Sequence, residues 1–198
     1  MAQTNPTVET LSGPAVQAVL PDLARLRIEI FRAFPYLYEG KEEDELVHLQ
    51  IYATRPEAAV ILARDGERII GGATCLPLTA TSPDVQKPFL DNGLDPSGFF
   101  YFGESVLLPA YRGRGLGVAF FQAREAHAAR HGYRTTCFCA IERPTNHRLR
   151  PKDYTMLDAF WHHRGYQPRP DLSCFMSWRD VETTTSTRKK MVFWTKHL

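Results

Sequence analysis

The chain carries no apolar run of bilayer-spanning length, and its opening Met-Ala-Gln-Thr-Asn-Pro has no basic segment leading into an apolar one. No membrane partner is expected, and a cytoplasmic location is. Cysteine is scarce: Cys75, Cys137, Cys139 and Cys174 contain no Cys-x-x-Cys pair, which removes the usual zinc spacing and makes reduced, partly buried thiols the expectation. Long basic runs and reader motifs are missing too, so no nucleic-acid partner is expected. Repeats and linkers are also lacking. All 198 residues therefore read as one domain, and 43% hydrophobic content is enough for a full core.

Net charge is only +2, but it is divided unevenly. Residues 1–99 hold 8 Lys/Arg against 14 Asp/Glu, whereas residues 100–198 hold 16 against 8. A basic second half suits a polyanionic cofactor, and an acidic first half favours a cationic acceptor.

The richest stretch is Glu104 to Ala123. An apolar strand from Tyr101 to Leu108 stops at Pro109, turns through Arg112-Gly113-Arg114-Gly115-Leu116-Gly117, and enters a helix. Such a turn leaves unpaired N–H groups at the positive end of a helix dipole, which makes an anion site. Lysine is absent here, which excludes a P-loop. A dinucleotide fingerprint fails as well, because Val118 or Phe120 occupies its last glycine position. The spacing Arg/Gln-x-x-Gly-x-Gly/Ala is met by Arg112, Gly115 and Gly117. From Leu108 to Gly117 the chain resembles the central motif of the GNAT superfamily, the acetyl-CoA-dependent N-acetyltransferases.

Around this motif the elements read as strand, two helices, and a hairpin across Asp65-Gly66. A long Pro-broken loop follows at 79–98, of the kind often used as a lid. Then come the central strand, helix 116–131, strand 134–141, a helix capped by Asp153 and ending at Gly165, and two last strands. The fold class is α/β: a single GNAT-like domain with a mixed central sheet of about seven strands flanked by helices. Phe193 and Trp194 in the last strand either form a homodimer edge or complete the core.

The resemblance implies a cofactor, acetyl-CoA, and splayed central parallel strands that admit its pantetheine arm. The backbone of Ser105, Val106 and Leu107 would bond the pantetheine amides, and strand 135–141 would be the splayed neighbour. The amides of Arg112, Gly113, Arg114, Gly115, Leu116, Gly117 and Val118 would hold the diphosphate. The Arg112 and Arg114 side chains either add charge there or are solvated. Attack by an amine needs a base, and Glu104 is the best-placed carboxylate; otherwise it is a salt-bridged strand residue. Many members place a Tyr four residues before a Gly-Phe pair to protonate the leaving thiolate. Trp161 stands there before Gly165-Tyr166, so the usual acid is absent or displaced. Tyr154 is a candidate replacement or else a core or surface tyrosine; His147, His162 and His163 are further candidates, and direct proton exchange with water is the alternative. The first interhelical loop often borders the acceptor site in this family, so Tyr36, Tyr38 and Glu39, with Tyr101 on the central strand, are candidate acceptor residues. The expected activity is acetyl transfer to a primary amine of a small molecule. The alternatives are a protein or peptide acceptor, or a non-catalytic acyl-CoA-binding sensor.

Overall fold

Strands β2 (Ala59–Asp65) and β3 (Arg68–Pro77) meet across the expected turn, with Gly66 at φ 60. The computed structural model describes residues 5–198. Ahead of this hairpin lie β1 (Thr7–Leu11), a 3₁₀ segment, α1 (Leu20–Phe31) and α2 (Glu42–Thr54). As its proline demands, α1 begins with Pro21 in its first turn, where no amide donor is missed. After the hairpin come α3 (Pro83–Asp91), β4 (Phe99–Leu107), α4 (Leu116–Arg130), β5 (Thr135–Ile141), α5 (Asp158–His163), β6 (Gln167–Arg179) and β7 (Ser186–His197).

Among the described residues the seven strands form one sheet, ordered β1-β2-β3-β4-β5-β7-β6, with β4 and β5 the parallel pair. Adjacent strand residues point to opposite faces, and two such pairs identify the flanking layers. A Cβ on Gly71 would meet Phe120 of α4, whereas one on Gly72 would meet Leu23 of α1. Phe193 packs on Phe89 of α3 at 4.9 Å, while Trp194 packs on Trp161 of α5 at 5.0 Å. So α1, α2 and α3 cover one face, and α4 and α5 the other.

Three expectations change. Segment 79–98 is not a lid: α3 occupies its middle and buries Val85, Pro88 and Phe89 against the sheet. Its apolar residues outweigh the proline signal, because Pro83 sits in the first turn, where proline is tolerated. The helix starting at Asp153 is only Asp158–His163, with Leu157 as N-cap and no side-chain cap. Finally, β7 lies inside the sheet between β5 and β6, and Phe193 and Trp194 are buried. They complete the core and form no edge.

Candidate active site

Strand β4 keeps β3 along its length but loses β5 midway. It pairs with β5 only from Phe99↔Thr135 to Tyr101↔Cys137. Beyond that point β5 pairs with β7 and β4 with β3, so the two inner edges part. The bend has a local cause: Gly103 and Glu104 together oppose Thr74, a β-bulge that kinks the strand. Position 103 requires glycine, because a Cβ there would collide with Thr74 Oγ1 and the Tyr52 hydroxyl. The extra residue also resets the alternation. Tyr101 and Glu104, three apart, therefore face the same side, toward α1 and α2.

Past the bulge, Leu108 N donates to Ile70 O, which makes alternate residues bond to β3. Ser105 and Leu107 thus turn their backbone groups into the gap. Val106, expected to do the same, points its own at Gly72 of β3.

Just beyond the gap lies the glycine turn. Gly113 and Gly115 adopt φ 74 and 80, and a Cβ on either would find open space. Gly115 is the N-cap of α4, and the first helical bond runs from Ala119 N to Gly115 O. The amides of Leu116, Gly117 and Val118 consequently have no intrahelical acceptor. Arg112 leaves the expected set of free amides, since its N–H donates to Pro109 O at 3.1 Å. The Arg114 guanidinium is tied back to Ala110 O and stacks over Tyr111, whose hydroxyl donates to Asp65 at 2.6 Å. The turn is therefore an anchored cradle, open on the side where its amides point.

On the other side of the gap, buried charges converge. Arg27 of α1 pairs with Glu45 of α2, and its Nη1 lies 2.6 Å from Glu104 Oε2. All three side chains are at most 10% exposed. Burial works against the Arg27 charge, but Glu104 and Glu45 outweigh it and hold the guanidinium protonated. One cation against two carboxylates leaves the cluster formally at −1. Among the described residues, Glu104 Oε1 is buried with no hydrogen-bond partner. A charged acceptor left bare in the interior costs several kcal/mol unless a ligand completes it. Arg124 of α4, itself buried, donates to the Glu104 carbonyl at 3.4 Å and fixes the bulge from behind.

Neither Arg27 nor Glu45 was among the expected site residues. The signal was present: Arg27 lies four residues after Leu23 and four before Phe31, within the apolar stripe of α1. His48 was missed as well. Its Nε2 is 4.0 Å from Glu104 Oε2 and its side chain is 54% exposed. Desolvation on its inner side, reinforced by Arg27, lowers its pKa.

The loop between α1 and α2 closes over this cluster. Tyr36 packs on Phe31 at 4.5 Å and stacks with Trp178 at 6.0 Å. Burial raises its hydroxyl pKa. Tyr38 lies beside Glu45, and burial followed by that carboxylate raises its pKa too. Glu39 is already paired with Arg32. Tyr101 is buried, with its hydroxyl 3.2 Å from Cys139 Sγ. All four cysteines are free and buried.

Arg143 fastens the loop: its Nε donates to Pro35 O and its Nη2 to Tyr36 O, both at 2.9 Å. Arg143 is in turn held by Asp180, which also pairs with buried Lys189 at 2.9 Å. Burial pushes the Asp180 carboxyl up, but hydrogen bonds from Arg143 and Lys189 outweigh it and hold the pKa low. Such a group stabilises the fold above its unfolded pKa of ~3.9, and the contribution is lost as pH falls through the depressed folded value. Asp180→Asn leaves two buried cations unmatched, and we expect a loss of about 3 kcal/mol, or roughly 10 °C in Tm. Thermal unfolding at pH 7 should show that gap, and it should close as the pH drops below about 4.

Trp161 is half-buried and packs against the core, on Phe138 at 5.1 Å and on Trp194. Tyr154 meets Phe34 of the α1–α2 loop edge-on at 4.7 Å and lies under Arg150 at 5.0 Å. His147 flanks the same Phe34 ring at 5.7 Å.

Comparison with solved structures shows the same fold. A protein of Salmonella typhimurium described as an acetyltransferase, with its cofactor acetyl-CoA, aligns at TM-score 0.59 and 11% identity, covering 98% of this chain and 94% of that one. A ribosomal-protein-alanine N-acetyltransferase of Brucella melitensis aligns at TM-score 0.62 and 12% identity, covering 97% and 99%. An acetyltransferase of Streptococcus agalactiae aligns at TM-score 0.56 and 16% identity, covering 98% of each chain. No curated protein matches the sequence. Residues 23–151, from the first helix through the splayed strands and the glycine turn, match the family model described as acetyltransferase (GNAT) family. That match spans most of the chain, and the chain belongs to the GNAT family of acetyltransferases.

Proposed function

We propose that the protein moves an acetyl group from acetyl-CoA to the primary amine of a small molecule, with Glu104 as general base. The observation that carries this reading is the bare, buried Oε1 of Glu104 beside the strand gap, in a cluster formally at −1. An ammonium group satisfies both the charge and the missing hydrogen bond. The carboxylate is 4% exposed under a fastened loop, which favours a slender amine over a folded protein surface.

Acetyl-CoA supplies an activated thioester carbonyl. The free amides of Gly113 to Val118 suit its diphosphate, and the gap-facing groups of Ser105 and Leu107 suit its pantetheine amides. The same strand N–H groups are the donors available to a developing oxyanion. An amine of pKa ~10 is protonated at neutral pH and must lose a proton before it can attack, which is the task assigned to Glu104. The C–N bond forms, the C–S bond breaks, and the leaving thiol has a pKa of about 8.5, so a dedicated acid is dispensable. Tyr154→Phe keeps the contact with Phe34 and removes only the hydroxyl. We expect kcat to change by less than about threefold, whereas a fall of about 10² would assign Tyr154 as the acid.

Thiol release from acetyl-CoA against a pooled panel of amines, amino acids, polyamines and short peptides tests the reading. Turnover by a small amine supports it. Turnover by peptides alone moves the acceptor to protein N-termini or lysines. Calorimetric binding of acetyl-CoA with no turnover favours an acyl-CoA sensor.

A further inference from the structure

We propose that His48 is the exit for the proton that Glu104 takes from the acceptor amine, carrying it from the buried carboxylate to bulk water. This rests on the reading of Glu104 as the base. A carboxylate that is 4% exposed meets little solvent, so a neighbour that reaches water gives its proton the faster way out between turnovers.

The groups facing Glu104 leave one choice. From α1 comes Arg27, which its two carboxylates hold protonated. From α2 come Glu45, already engaged by Arg27, and Tyr52, whose pKa is raised by burial and then by Glu104. Tyr36 of the loop and Tyr101 of β4 are raised chiefly by burial. Arg124 of α4 bonds to the backbone carbonyl, and its guanidinium does not give up a proton at neutral pH. His48 alone both faces the carboxylate with an imidazole nitrogen able to take up and release a proton and reaches water, with its side chain 54% exposed.

Geometry permits the transfer. Nε2 is 4.0 Å from Glu104 Oε2, a separation closed by one water or a small swing of the exposed ring. The amine's proton lands on Oε1, the bare oxygen. A half-turn about the terminal Glu torsion exchanges the two oxygens, and either one can accept from Arg27. The proton balance closes. The bound ammonium yields one proton to Glu104, which passes it to His48 Nε2, and the resulting imidazolium releases it to water. The second amine proton leaves as the amide forms and ends on the departing thiolate.

Two measurements on the full chain test this. The first needs no acceptor: the His48 imidazole midpoint is read by NMR, labelled at Cε1, in wild type and Glu104→Gln. A carboxylate in contact favours the imidazolium, so its removal should lower the midpoint by about one pH unit. An unchanged midpoint overturns the coupling. The second is steady-state turnover of n-butylamine, 2-phenylethylamine, spermidine and glycinamide with saturating acetyl-CoA. At pH 7 His48→Asn should lower kcat about tenfold, with the KM for acetyl-CoA unchanged. Added imidazole should restore most of the rate, and the deficit should shrink toward pH 9 as hydroxide takes over. A wild-type kcat in His48→Asn, or a loss that imidazole does not repair, overturns the relay and leaves Glu104 as base. A wild-type kcat in Glu104→Gln, or no turnover of any of the four amines by the wild type, removes the reading on which the relay stands.

Discussion

Glu104→Gln should lower kcat by about 10²–10³, and most strongly at pH values below the pKa of the acceptor amine. Glutamine keeps the shape and can still accept from Arg27, which retains its pairing with Glu45. The fold should therefore survive, and unfolding curves should show it. On the proposed reading, what disappears is the proton acceptor at Oε1 and the net negative charge that would draw an ammonium into the site. Above the amine's pKa the free base is already abundant, so the two enzymes should converge there. Acceptor KM should rise along with the loss of kcat, because the same oxygen binds the cation and takes its proton. The measurement is a pH–rate profile for each enzyme with one amine. If the two profiles overlay, Glu104 is not the base, and the buried cluster is only structural.

How far the sequence foretold this site depends on the range of the interactions. The glycine turn was legible because its chemistry is local. Positive φ at Gly113 and Gly115 and free amides at a helix start all follow from neighbours in the chain. Its anchor was not, since Tyr111 reaches Asp65 on a distant hairpin. The buried charge cluster joins Arg27 to partners 18 and 77 positions away, so no window of sequence contains it. Glu45 was hidden differently. It sits in the acidic first turn of α2, where carboxylates stabilise the helix dipole, and that local explanation masked a buried role. With Leu49 and Tyr52 it forms one buried helical stripe, with His48 at its exposed margin, a pattern the spacing alone contains.

The bulge shows what periodicity misses. Strict alternation puts Tyr101 and Glu104 on opposite faces of β4, and only the doubled residue opposite Thr74 brings them together. The same register separates Val106 from Ser105 and Leu107, a distinction that backbone pairing decides and side-chain type does not. The fastening of the loop between α1 and α2 was equally remote, since Arg143 and Asp180 follow that loop by more than a hundred residues.

Gly115→Trp should weaken acetyl-CoA binding by more than about 100-fold in calorimetry, the loss expected when one bulky group covers several charge-assisted hydrogen bonds. Two effects add. An L-residue at φ 80 costs about 1–2 kcal/mol of backbone strain, and the indole then fills the open space beside the amides of Leu116, Gly117 and Val118. Strain alone cannot account for the binding loss, and a matched control separates the two. Gly93 has φ 70 and likewise no neighbour within 4 Å, but it lies just past α3, far from the turn in sequence. Gly93→Trp should cost similar stability and leave acetyl-CoA affinity within about twofold, since strain remote from a ligand does not reach its binding constant. Gly115→Ala adds the strain without the bulk and should lose about tenfold or less. A graded series, Ala mild and Trp severe at position 115 with Trp silent at 93, places the diphosphate on the amides of this turn. Unchanged affinity in Gly115→Trp would move it elsewhere, because no arrangement of a diphosphate on these amides leaves room for an indole at their N-cap.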